Sequence, residues 1–239
     1  MKRALIGCLM ALLLFAAAPA QAEKGRFVRH AKRDQKTYEM ITYYIYEPPE
    51  ITENMPLVIY LHGSSERGDK ALVNSLPLFV RNGDVVCDHT ILLVPQLPQV
   101  FARWSYVEKT LIEIIAEVIE KYGVDESRVA LVGYSLGGVG AWDLAGHYPG
   151  RFTRVMSVAG KLHDEIYIDA FEMCQLKIYV GTRDETVDSK TGVEFTQAVI
   201  DAGYDAECIE LDAAHNQMPN RVFKNAEALE WIWMEAGVK

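Results

Sequence analysis

The sequence predicts an α/β fold, with a mostly parallel central sheet flanked by helices and no large lid domain. Short continuous apolar runs at 57–61 and 91–94, and the run Val129–Val132 within a strand read over 128–132, have the pattern of strands covered on both faces. Strand-like runs also alternate along the chain with stretches of helical period, the arrangement that parallel crossovers require.

The elements follow in order. Residues 38–46 are aromatic and β-branched and stop at Pro48-Pro49, which reads as a strand. Pro95 ends the strand at 91–94. Residues 105–122 put Leu111, Ile114, Ile115, Val118 and Ile119 on one helical face, with Glu108, Lys109, Glu113, Glu117 and Glu120 elsewhere. Gly123 closes that helix. A helix over 137–147 follows the strand at 128–132. Strands at 154–158, 176–180 and 207–211 are separated or followed by helices over 192–202 and 220–236. The longest stretches without regular structure, 63–85 and 160–174, are too short for a lid domain, so an open site is expected. Ligands in such sheets sit beyond the carboxyl ends of the strands.

The first 22 residues stand apart. Lys2 and Arg3 precede an apolar run at 4–18, Pro19 breaks it, and Ala20-Gln21-Ala22 supplies a signal-peptidase pattern. The expectation is a signal peptide over 1–22 and a single domain over 23–239, exported to the periplasm or beyond the cell. The run is shorter than the roughly 20 residues of a membrane-spanning helix. Leu5-Ile6-Gly7-Cys8 resembles a lipobox, yet the apolar run continues past Cys8, where a lipobox should close it.

The chain carries a net charge of −9, and losing Lys2 and Arg3 makes it more acidic. That argues against nucleic acid or an anionic membrane as partner, and no stable membrane insertion is expected after cleavage. Cys87, Cys174 and Cys208 remain beyond the leader. An odd count leaves at least one thiol free, and a Cys174–Cys208 bridge or simple burial are both open. None has metal-ligand spacing.

The strongest chemical signal is Gly133-Tyr134-Ser135-Leu136-Gly137, followed by Gly138. It lies between a buried strand and a helix, where a serine on a tight turn projects its hydroxyl over the sheet edge. A serine hydroxyl needs a base to become a nucleophile. His215 follows the last strand and is the candidate; His163, in a loop after a strand, is the rival. His30 and His89 precede strands, and His147 ends a helix. The acid that orients the histidine is expected at Asp184, just past the strand at 176–180, with Glu185 and Asp188 as close alternatives. This gives the order serine, acid, histidine. The oxyanion donors are expected to be the amides of Leu136 and of Ser64, with Ser65 next. His62 is expected to hold its loop by hydrogen bonds.

These residues carry a resemblance. The chain resembles the α/β-hydrolase superfamily, and more narrowly exported esterases related to dienelactone hydrolases and the phospholipase/carboxylesterase group, some labelled predicted peptidases. The resemblance spans roughly 38–236. It rests on Tyr44-Ile45-Tyr46-Glu47-Pro48, on the loop from Leu61 to Gly68, on Pro95-Gln96 with Trp104, and on the serine motif. Trp142-Asp143-Leu144-Ala145, Tyr148-Pro149, Arg151-Phe152, Gly181-Thr182-Arg183-Asp184 and His215-Asn216 extend it. It implies a Ser135, Asp184, His215 triad, a serine carboxylic ester hydrolase acting on short-chain or carbohydrate-linked esters, and no metal or organic cofactor. Trp104 is expected to line the substrate site. Relatives often have glycine at position 65 and a glycine-rich stretch after 158, where this chain has Ala159-Gly160-Lys161-Leu162-His163-Asp164. A serine peptidase or amidase, and a non-catalytic envelope binding protein, are the other readings.

Overall fold

A computed structural model describes residues 25–68, 89–162 and 168–233 of the chain. The expected signal peptide, Cys87 and His163 lie outside these residues.

Among the described residues, eight strands form one sheet in the order β1-β2-β4-β3-β5-β6-β7-β8. They are β1 (Arg26–Arg33), β2 (Met40–Glu47), β3 (Met55–Leu61), β4 (Ile91–Pro95), β5 (Val124–Tyr134), β6 (Arg154–Val158), β7 (Gln175–Gly181) and β8 (Ala206–Leu211). The pairs β1–β2 and β2–β4 are antiparallel, and all others are parallel. Strands β3 and β4 are buried at every position, as continuous apolar runs in a covered parallel sheet should be.

The helices are α1 (Glu108–Tyr122), α2 (Leu136–His147), α3 (Ser189–Asp201), α4 (Met218–Val222) and α5 (Ala226–Trp233). One face of the sheet packs Leu57, Ile59 and Leu131 with Leu111 and Ile114 of α1, Trp142 of α2 and Val199 of α3. The other packs Val58, Tyr60 and Val132 with Met218 and Val222 of α4 and Ile232 and Trp233 of α5. Gly123 ends α1 in the left-handed conformation, φ 59°, its N–H donating to the Ile119 carbonyl.

Two elements differ from the sequence pattern, and the choice left open for the cysteines is decided against a bridge. Strand β1 was not anticipated, because RFVRHAKR is an edge strand with no fully buried position and so has no apolar run to read. The described part of the helix expected over 220–236, as far as residue 233, is two helices, since Asn225 caps a new start by accepting the Ala228 N–H at 3.0 Å. Cys174 and Cys208 are free thiols. Cys208 pairs in register with Ile178, four residues beyond Cys174, and about 13 Å of strand separates those positions, beyond the reach of a disulfide.

Candidate active site

The parallel strands present their carboxyl ends at one edge of the sheet, and the candidate residues gather there. Ser135 occupies the turn between β5 and α2 with φ 53° and ψ −117°, a conformation that side-chain-bearing residues rarely adopt. The turn is held by the Ser135 N–H donating to the Val158 carbonyl at 2.9 Å. It closes only because its neighbours lack side chains. A Cβ on Gly133 would sit 1.9 Å from the Gly137 carbonyl oxygen, and one on Gly137 would sit 1.8 Å from that of Leu61. The start of α2 therefore lies against the end of β3.

Ser135 Oγ is 2.9 Å from His215 Nε2, and His215 Nδ1 is 2.7 Å from Asp184 Oδ2. The three side chains come from the ends of β5, β7 and β8. An ionised carboxylate only accepts, so Nδ1 carries the proton and donates to Asp184, leaving the Nε2 lone pair for the serine hydroxyl. Asp184 Oδ1 accepts the N–H groups of Thr186 and Val187 at 2.8 and 2.9 Å. Its side chain is 1 % exposed, and that of His215 18 %. The other carboxylates sort themselves by role: Asp188 caps α3 by accepting the Lys190 N–H at 3.0 Å, and Glu185 is exposed. Arg183 ties the acid loop to the histidine loop, with Nε 2.5 Å from Asp212 Oδ1.

Ser64 and Leu136 each open a helical turn, Ser64–Glu66 and α2 respectively. The first N–H groups of a helical turn have no carbonyl partner within it. The Ser64 turn is fixed from outside. Arg67 donates to the carbonyls of Ser64 and Phe101 at 3.1 and 2.8 Å. Gln96 Nε2 donates to the Glu66 carbonyl at 3.3 Å, and the Gly68 N–H to that of Leu97 at 2.9 Å.

His62 holds the base of this loop, as expected. It is fully buried, its Nδ1 lies 2.7 Å from the Gly63 carbonyl oxygen, and its Nε2 accepts the Leu97 N–H at 3.1 Å. Burial, reinforced by the nearby Arg67 charge and opposed by the Gly63 hydrogen bond, lowers its pKa to about 4. A neutral ring that must charge in acid makes the unfolded chain the better proton binder between about pH 4 and 6.5. Stability is thus complete above pH 6.5 and declines as pH falls through that window, by roughly 3 kcal/mol from this residue. Urea unfolding at pH 7 and 4.5 checks this. A His62→Gln variant that loses as much stability as wild type over the same window contradicts the assignment.

Trp104 does not line the site. It is 1 % exposed, its ring lies edge-on to His62 at 4.9 Å, and its Nε1 donates to the His62 carbonyl at 3.3 Å. A Cβ on Gly140 would fall 2.7 Å from its ring. It is a packing residue wedged under the loop. Tyr134, which the sequence reading passed over, is at the site: its hydroxyl donates to the His215 carbonyl at 3.1 Å. Its place inside the serine motif was the available signal.

An open recess of about 710 Å³ adjoins Asp184 and His215, with Thr182, Glu185, Thr186 and Asn216 among its walls. Among the described residues, no group of three or more His, Cys, Asp or Glu could hold a metal ion. No helix among them is long and apolar enough to cross a membrane.

The sequence model of the Esterase family, described as "Putative esterase", matches residues 35–202. The chain belongs to this esterase family. Its fold is that of the α/β-hydrolases, and solved structures agree. A thermostable esterase superposes with a TM-score of 0.73 at 22 % identity, covering 87 % of this chain and 62 % of that one. The chain therefore spans less than two thirds of that protein. The S954A mutant of the feruloyl esterase module from Clostridium thermocellum, complexed with sinapinate, gives 0.70 at 12 % identity and 90 % coverage of both chains. Porphyromonas gingivalis dipeptidyl peptidase 4 gives 0.65 at 13 %, covering 88 % of this chain and 36 % of that one. At such identities the likeness is one of fold. No curated protein matches the chain in sequence.

Proposed function

We propose that this esterase-family protein is an exported serine hydrolase that cleaves carboxylic esters through an acyl-enzyme on Ser135. The observation that carries the reading is the unbroken chain of hydrogen bonds from Ser135 Oγ through His215 to Asp184. His215 Nε2 takes the hydroxyl proton as Ser135 Oγ bonds to the ester carbonyl carbon, and Asp184 stabilises the imidazolium. The Leu136 and Ser64 amides receive the developing oxyanion. The C–O bond to the alcohol then breaks, and His215 gives its proton to the departing oxygen. Water repeats the sequence on the acyl-enzyme, and the acid leaves as Ser135 regains its proton.

The open recess beside His215 carries the polar side chains of Thr182, Glu185, Thr186 and Asn216. Such a recess suits small or carbohydrate-linked alcohols better than fatty ones. Export rests on the basic-apolar-small pattern of residues 1–22.

A series of p-nitrophenyl esters from acetate to octanoate, run beside peptide p-nitroanilides, tests the reading. Turnover should be highest for the short esters and weak for the anilides. Rapid anilide cleavage would favour the peptidase alternative, and no cleavage of either series would favour a binding protein.

A further inference from the structure

From the contacts of the residue before the nucleophile, we infer that Tyr134 is a positioning residue that sets His215 against Ser135. The inference rests on the proposed role of His215 as the catalytic base.

Tyr134 is the last residue of β5 and pairs with Val158, so its backbone is held within the sheet. Its side chain makes two contacts with the histidine. The hydroxyl donates to the His215 carbonyl at 3.1 Å, and the ring lies 5.4 Å from the imidazole, tilted by 33°. The ring also stands beside the oxyanion loop. A Cβ placed on Gly63 would lie 3.3 and 3.4 Å from Tyr134 Cδ1 and Cε1, so glycine lets the ring stand close to that loop.

His215 needs such a support. It opens a single 3-10 turn, His215–Gln217, beyond the end of β8. Its carbonyl also accepts the Met218 N–H, but that bond is internal to the turn and cannot fix the turn relative to Ser135. Arg183 joins this segment to the acid loop, through Asp212 and the Ala213 carbonyl. Tyr134 joins it to the strand that bears the nucleophile. The 2.9 Å Ser135–His215 distance is thereby referred to one rigid backbone, and small errors in that distance are costly to proton transfer. The hydroxyl stays protonated at any working pH, since burial, with the Glu66 and Asp184 charges, raises its pKa to about 12.

The test compares wild type with Tyr134→Phe, which keeps the ring and loses the hydroxyl, and with Tyr134→Leu, which loses both contacts. For a p-nitrophenyl ester, Tyr134→Phe should lower kcat about tenfold, the scale of one hydrogen bond, with KM within about twofold. Tyr134→Leu should lose more. Covalent labelling by a fluorophosphonate should slow in step. The downfield proton NMR signal of the His215 Nδ1–H should shift or broaden in both variants, a readout independent of turnover. Unchanged kcat, labelling rate and His215 signal in Tyr134→Phe, whatever its melting temperature, overturn the inference. If wild type itself is neither active nor labelled, the esterase reading fails, and the NMR signal alone decides the positioning role.

Discussion

Replacing Ser135 with alanine is expected to lower kcat for ester hydrolysis on the order of 10⁴ to 10⁶-fold while leaving the folded structure in place. The reason for the first half is chemical. Without the hydroxyl, His215 Nε2 has no proton to take, and no acyl-enzyme forms. The reason for the second half is conformational. Serine and alanine both carry a Cβ, so the variant inherits the same strained φ of 53° rather than adding to it. Among the described residues, the Oγ hydrogen bond to His215 is the one side-chain bond that the substitution removes. Circular dichroism and thermal unfolding should match wild type closely, so that lost activity is read as lost chemistry.

The second large effect is expected from Asp184→Asn, at about 10⁴-fold in kcat. The two backbone N–H groups of Thr186 and Val187 need an acceptor, and the carboxamide oxygen must supply it. The amide NH₂ then faces His215 Nδ1, which can no longer donate and becomes an acceptor. The ring proton moves to Nε2 and points at Ser135, the wrong tautomer for a base. Asp188→Asn makes the matching control. Asp188 caps α3, asparagine caps about as well, and activity should remain near wild type. Steady-state kinetics of the two variants separates the acids that sequence alone left open.

Much of this site was legible because its chemistry and its fold constrain the same residues. Gly133 and Gly137 mark the serine turn because any Cβ there meets backbone within 2 Å. His215 was legible from its place after the last strand. The choice among Asp184, Glu185 and Asp188 was not, because single-residue turn geometry decides which carboxylate faces inward. Trp104 was misjudged for a related reason. A tryptophan near the carboxyl end of a strand looks the same in sequence whether it faces substrate or, as here, lies beneath His62. The serine motif places Tyr134 beside Ser135, but its partner is a backbone carbonyl 81 residues away, and no local pattern identifies that contact. Strand β1 was missed because an exposed edge has no need of an apolar run.

The measurement closest to the central claim is peptide mapping after reaction with a fluorophosphonate. One adduct is expected, on the peptide containing Ser135, rising in proportion to lost esterase activity and absent from Ser135→Ala. Inactivation with no adduct on Ser135, or undiminished ester hydrolysis once Ser135 is fully modified, would contradict that claim.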